Sequence, residues 1–383
     1  MATINGTCDE RFSAVGDVLA GNLDSGADVG SSACVIVDGQ VVVDIWGGTV
    51  TLADSGEQTD WQEDTLINVY STTKTMCNLS ALICADRGLI DLDAPVATYW
   101  PEFKANGKEN VLVRHLLGHT AGVPGFTPPM EKEDLYDWDK VCSILAAEAP
   151  WWEPGTASGY HAITQGYLVG EVVRRVTGQS LGTFFKDELA DPLGADFHIG
   201  TPASCDARIA ALIPPEHAIV PVNIEPDSVA ARVFANPVVA PEESSTVAWR
   251  RAEIPAANGQ GNARSVARVQ SVVSHGGTVD GKTFISPEGL ERIFDVQMEN
   301  KPDLVLGLPM KLGIGYGLIS KEMPVAPTER GCFWGGFGGS VVINDLANRM
   351  TVAFVMNKMG GTTTGDARGI GVVWAAYQAL NGA

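Results

Sequence analysis

Hairpin patterns stand near both ends of this chain, and a single antiparallel sheet accounts for the two together. Near the N-terminus, Ala33-Cys-Val-Ile-Val37 and Gln40-Val-Val-Val-Asp-Ile-Trp46 flank the pair Asp38-Gly39. β-Branched runs on either side of Asp-Gly predict a hairpin, because both turn residues tolerate positive φ. Near the C-terminus, Ser340-Val-Val-Ile-Asn344 and Met350-Thr-Val-Ala-Phe-Val-Met356 repeat the pattern across a turn at 345–349. The stretch 365–380 then reads as a closing helix.

The middle of the chain has a different period. Residues 72–87 carry Met76, Leu79, Leu82 and Ile83 at helical spacing and stop at Gly88. Residues 160–177 carry Ile163, Tyr167, Leu168, Val172 and Val176 and stop at Gly178. The stretch 179–189 is expected to be helical with Ser180 as N-cap, as are 265–275 and the segment after Pro287. Residues 201–250, rich in Pro and Ala without a clear period, are expected to form long surface loops. No internal repeat or low-complexity segment occurs. The pattern predicts a mainly helical insert between the halves of an α/β (α+β) sheet domain.

At 383 residues the chain makes one large domain or two smaller ones, and 45% hydrophobic with 19% charged residues supports a sizeable core. A formal net charge of -20 argues against nucleic acid and against an anionic membrane surface. The first residues lack the basic start and apolar stretch of a signal peptide, and no run approaches the ~18 apolar residues of a spanning helix. Seven cysteines from Cys8 to Cys332, without a Cys-x-x-Cys pair, suggest neither a disulfide framework nor a zinc site. The expected setting is cytoplasmic, with no metal or cofactor.

Chemistry concentrates at three places. Ser71 and Lys74 form the single Ser-x-x-Lys of the chain, and on a helix positions i and i+3 share a face. Leu66-Ile-Asn-Val-Tyr70 reads as a strand running into that helix, where converging N–H groups favour a developing oxyanion. Tyr160, after the Pro154-Gly155 turn, is the candidate third member for moving a proton to a leaving group. Cys332-Phe-Trp334-Gly335-Gly336-Phe337-Gly-Gly-Ser340 is so dense in glycine that another backbone or a ligand must approach closely.

Two further patterns carry structural readings. Gly178-Gln-Ser180-Leu-Gly182 matches a lipase motif that works on a strand–turn–helix elbow, whereas here a helix precedes it. His115 and His119 stand four apart, yet no Glu lies between them and no third ligand is evident. Cys77 and Cys84 read as core positions.

In this order and context, Ser71-x-x-Lys74, Pro154-Gly155-x-x-x-x-Tyr160 and the Gly335-Gly336 edge resemble class C β-lactamase-like serine hydrolases, and within them the family VIII carboxylesterases. Gly88–Pro95, Val113–Gly122 and Gly166–Gly170 support the resemblance, which covers roughly residues 10–380. It implies a β-lactamase/penicillin-binding-protein-like antiparallel sheet flanked by helices. Residues 1–70 plus 265–383 would form the sheet domain and 71–264 the helical one, with the active site between them. It also implies Ser71 as nucleophile, Lys74 as its activating partner and Tyr160 as general base with Lys74. The backbone N–H groups of Ser71 and Phe337 would form the oxyanion hole. Trp334-Gly335-Gly336 occupies the place of the family's Lys-Thr-Gly strand, and Ala162 the place of an Asn. Both departures weaken β-lactam recognition and leave ester chemistry intact. Trp334, Gly335, Gly336, Trp152 and Phe126 are the expected substrate contacts, and a small-molecule ester is the expected partner. Acyl transfer, weak β-lactamase or D-amino-acid peptidase activity, and a non-catalytic binding role are the alternatives.

Overall fold

The computed structural model describes residues 2–216 and 225–382. Among them, one sheet of eight strands is assembled from both ends of the chain. Across it run Ile4–Cys8, Gln40–Thr51, Gly30–Val37, Met350–Met356, Val341–Asp345, Gly331–Gly335 and Gly317–Leu318, with Gln58–Asp60 pairing the far end of Gln40–Thr51. Every pairing is antiparallel. The N- and C-terminal hairpins meet at one seam, from Val37 opposite Met350 to Ser31 opposite Met356. Asp38 and Gly39 turn the first hairpin with φ of 47° and 79°, as the Asp-Gly signal requires. The turn is tied to its counterpart, since Arg349 Nε donates to Asp38 Oδ1 at 2.9 Å.

Gly30–Val37 and Met350–Met356 are buried along their whole length, because helices cover both faces of the sheet. Ala263–Ser274 lies on one face, where the hydroxyls of Ser274 and Thr351 meet at 2.7 Å. Ala367–Leu380 lies on the other, with Phe354 against the backbone of Gly369 and Ser13–Asp24 packed alongside. Two-sided burial explains why these strands read as continuous apolar runs and not as alternation.

Thr73–Asp86 is buried all round from Thr73 to Cys84, with Cys77 and Cys84 in the core, so it is an interior helix and not an amphipathic one. Thr75 Oγ1 donates to Thr72 O (2.8 Å) and Asn78 Nδ2 to Gly315 O (2.7 Å), while Asn78 Oδ1 is buried without a hydrogen-bond partner among the described residues. It packs against Thr164–Thr177, which ends as expected on Gly178 (φ 74°). That second helix begins four residues later than the sequence pattern suggests, leaving Tyr160 and His161 in the preceding turn.

The expectation of bare loops over 201–250 is corrected. This stretch contains the helices Val229–Ala235 and Val247–Arg251, capped by Ser228 and Thr246, and the 3₁₀ turns Ala203–Arg208 and Pro241–Ser245. Elements of one or two turns are too short to display a hydrophobic period. The part of that expectation covering 217–224 lies outside the described residues. Among the described residues, 71–264 contribute no strand to the large sheet, and no helix is long and apolar enough to cross a membrane.

Candidate active site

The strand Ile67–Asn68 pairs with Gln260–Gly261 and delivers the chain into the 3₁₀ turn Tyr70–Thr72, which leads directly into Thr73–Asp86. Tyr70 takes φ 43°, a left-handed conformation that costs a bulky residue about 1–2 kcal/mol. Packing holds it there: its ring meets Phe337 edge-on at 5.2 Å and Trp249 at 6.4 Å. The kink presents Ser71, 7% exposed, to a cavity.

Lys74 Nζ donates to Ser71 Oγ at 3.0 Å and to the carbonyls of Ala162 (2.7 Å) and Ala256 (2.9 Å). Burial holds its ammonium well below the usual lysine range, because a charge there has no water. The Tyr160 hydroxyl also donates to Ser71 Oγ, so the serine oxygen is shared by an amine and a phenol. Burial pushes the Tyr160 phenol up, partly offset by Ser71 and Trp334. At the position where the resemblance expects an Asn, Ala162 supplies its main-chain carbonyl to Lys74.

Tyr160 sits in an aromatic cradle. Its ring meets His119 at 5.1 Å and Trp334 at 5.7 Å, and Trp334 stacks on His119 at 5.3 Å. His119 Nδ1 accepts the His161 N–H at 3.1 Å. His161 accepts Val123 N–H at Nε2 (3.2 Å), so its Nδ1 carries the proton that goes to Gly159 O (2.6 Å). Burial drives both imidazoles down, His161 to about 3, and both are neutral.

The glycine-rich edge closes on the serine turn. An added Cβ on Gly336 would lie 2.2 Å from Val69 O, and one on Gly335 would lie 2.3 Å from the Thr364 backbone. Ser340 Oγ donates to Val69 O and meets Thr72 Oγ1, both at 2.9 Å, tying the two segments together. On either side of Phe337, Gly336 N–H donates to Ser340 O (2.8 Å) and Gly338 N–H to Thr362 O (3.0 Å). The N–H groups of Ser71 and Phe337 have no hydrogen-bond partner among the described residues.

The cavity over Ser71 has a volume of about 390 Å³, in the range of small-molecule sites. Tyr70, Trp249, Phe234, Val239 and Phe337 are among its walls, Ser71 and Tyr160 among its few polar groups, and no charged side chain lines it among the described residues. None of the five expected substrate contacts is among the described residues lining this cavity, whereas Phe337, expected as an oxyanion donor, is. Trp334, Gly335 and Gly336 lie behind Tyr160 and against neighbouring backbone, while Trp152 packs on His161 and Gly159. Phe126 is buried, its carbonyl accepting from Asn236 Nδ2 at 2.8 Å. The residues that do line the cavity from 233–241 carry no recognisable motif in the sequence.

The remaining patterns fall elsewhere. Ser180 caps Leu181–Phe185 through Thr183 N–H (3.2 Å) and donates to Glu253 at 2.6 Å, as its structural reading requires. His115 accepts Leu112 N–H at 3.2 Å, and neither it nor His119 belongs to a cluster of three or more candidate metal ligands among the described residues. Asp196, His198 and Cys205 approach one another, but Arg208 already donates to the Asp196 carboxylate (2.5 Å) and to Cys205 (3.5 Å).

The family described as Beta-lactamase matches residues 17–373. The chain belongs to the Beta-lactamase family. An esterase/beta-lactamase, LipL, of Mycobacterium tuberculosis (strain ATCC 25618 / H37Rv) is 34% identical over 366 residues, covering 92% of this chain and 83% of that protein. A solved family VIII carboxylesterase matches at 41% identity with a TM-score of 0.91, covering 99% of this chain and all of the other. A penicillin-binding protein homologue from Caulobacter crescentus matches at 37% identity and a TM-score of 0.92, over 99% of this chain and 100% of its own. The resemblance read from Ser71-x-x-Lys74, Tyr160 and the glycine edge is thus borne out for family and fold. This Beta-lactamase family member is a hydrolase-fold protein with esterase relatives.

Proposed function

We propose that the protein is a serine carboxylesterase acting through an acyl-enzyme on Ser71. The observation that carries this reading is the sharing of Ser71 Oγ by a buried amine, Lys74, and a buried phenol, Tyr160, beside a cavity with mainly apolar described walls. Ser71 Oγ attacks the ester carbonyl carbon and its proton passes to the Lys74–Tyr160 pair. The free N–H groups of Ser71 and Phe337 receive the oxyanion. The carbon–oxygen bond to the alcohol breaks as Tyr160 returns the proton to the departing oxygen. Water then repeats the sequence on the acyl-enzyme, releasing the acid and restoring Ser71.

The walls favour neutral, apolar esters. Among the described residues the cavity offers no cation to hold a substrate carboxylate, and Trp334, standing where the family pattern has Lys, is 2% exposed and turned into the aromatic cradle. This disfavours β-lactams and D-amino-acid peptides. The reading also places the site between a sheet body (1–70 plus 265–383) and a helical body (71–264). A cytosolic setting agrees with seven free thiols.

Mass spectrometry after a fluorophosphonate or a short-chain p-nitrophenyl ester tests the assignment. An adduct on Ser71 that disappears in Ser71→Ala is expected. An adduct on Ser180, or full activity in Ser71→Ala, would sink it. Product analysis with a competing alcohol separates hydrolysis from acyl transfer, which a 28% identical acyltransferase from Penicillium decumbens keeps in view.

A further inference from the structure

We propose that Asp303 is a positioning residue for Tyr160: its buried carboxylate fixes the main chain of Tyr160 so that the phenol stands over Ser71. The inference rests on the catalytic reading of Tyr160 given above.

Tyr160 precedes the helix Thr164–Thr177, so no helical hydrogen bond fixes its backbone. The aromatic rings around it allow sliding, since ring contacts are broad in geometry. The directional tie comes from Asp303, 143 residues away: Oδ1 accepts the N–H of Tyr160, Val305 and Leu306, each at 2.9 Å. A second strut, Leu304 N–H to Ser158 O at 2.8 Å, grips the same segment two residues earlier. One carboxylate oxygen thus joins the turn at 303–306 to the residue whose hydroxyl reaches Ser71.

The other oxygen, Oδ2, is buried and has no hydrogen-bond partner among the described residues, on a residue 2% exposed. An asparagine could accept the same three N–H bonds without a buried charge, which is costly to leave half-satisfied. The negative charge has a second effect. Burial is the main cause of the high Tyr160 pKa, Ser71 and Trp334 lower it, and Asp303 adds to the rise. The other ionisable groups facing the Tyr160 ring are Lys74, 4.7 Å from its centre, and His119 at 5.1 Å, with His161 behind His119 at 5.6 Å.

Asp303→Ala and Asp303→Asn separate the two effects, with Tyr160→Phe as reference and p-nitrophenyl butyrate as substrate. Asp303→Ala is expected to lower kcat about 100-fold, the scale of a ~1 Å misplacement, with KM changed far less. Asp303→Asn, which keeps the acceptor, is expected to recover at least about tenfold of that loss. Its pH–rate limb for the Lys74–Tyr160 pair should move to lower pH, because removing a nearby negative charge eases loss of the phenol proton. Wild-type kcat in folded Asp303→Ala overturns the proposal. Should that variant fail to fold, an unmoved pH limb in Asp303→Asn overturns it. Wild-type kcat in Tyr160→Phe instead brings down the underlying catalytic reading. Loss of kcat in Tyr160→Phe with no effect at Asp303 brings down this inference alone.

Discussion

Alanine at Gly336 would place a Cβ 2.2 Å from the Val69 carbonyl oxygen and 2.4 Å from Ser340 Oγ. Carbon and oxygen tolerate about 3.3 Å at closest, so the glycine edge and the Ser71 turn must part by about 1 Å. The ties that resist this separation are the ones that set Phe337 relative to Ser71: Gly336 N–H to Ser340 O, and Ser340 Oγ to Val69 O. Overpacking of this kind costs about 1–3 kcal/mol of stability. If the Phe337 N–H is an oxyanion donor, the shift should also lower kcat about 10²-fold, close to the effect of deleting one such donor. The assay is kcat on a p-nitrophenyl ester for protein shown to be folded by its melting transition. Gly335→Ala serves as control, because its Cβ meets the Thr364 backbone and strains a different contact. It should lower Tm comparably with a smaller loss of kcat. A folded Gly336→Ala enzyme within a few-fold of wild type would refute the oxyanion role of Phe337.

Three more outcomes follow from the same geometry. Lys74→Arg places a permanently protonated group beside Ser71 and should cut kcat by about 10²-fold or more at every pH tested. In the wild type, burial lowers the Lys74 pKa, so activity should persist well below the ordinary lysine range and fall only as pH drops through that lowered value. A pH–rate profile with its acid limb near 10.5 would contradict this. Trp334→Lys puts an ammonium into a site that is 2% exposed and lined by His119 and Tyr160. It should destabilise the protein without creating nitrocefin hydrolysis, and efficient turnover of nitrocefin would show that the cavity reaches this residue after all. Ser180→Ala removes a helix cap and should cost about 1 kcal/mol in urea melts while leaving ester hydrolysis intact.

Much of the site was legible because its parts are local. Ser71 and Lys74 are held three residues apart by helical geometry alone, and Ser180 is a cap by its place before Leu181–Phe185. Tyr160 was found through its Pro-Gly turn and its order in the chain, although nothing local places its hydroxyl on Ser71. Trp152 and Phe126, expected to line the pocket from their apolar character, are absent from its described walls, since aromatic character does not say which side of a wall a ring occupies. The 233–241 wall escaped notice because short capped turns leave no period. His119 was weighed only as a partner for His115, a sequence neighbour, whereas its contacts are Tyr160, His161 and Trp334.

The sequence by itself determined the sheet built from two termini, the Asp38-Gly39 turn, the existence of the Thr73–Asp86 helix and the Ser71–Lys74 pair. Each follows from side-chain period or backbone preference within a few residues. Tertiary structure alone decided that Asp303 reaches Tyr160, that Trp334 turns inward, and that the described walls of the cavity carry no charge. Those outcomes depend on which distant segments meet, and burial there sets both the protonation of Lys74 and the space left for an ester.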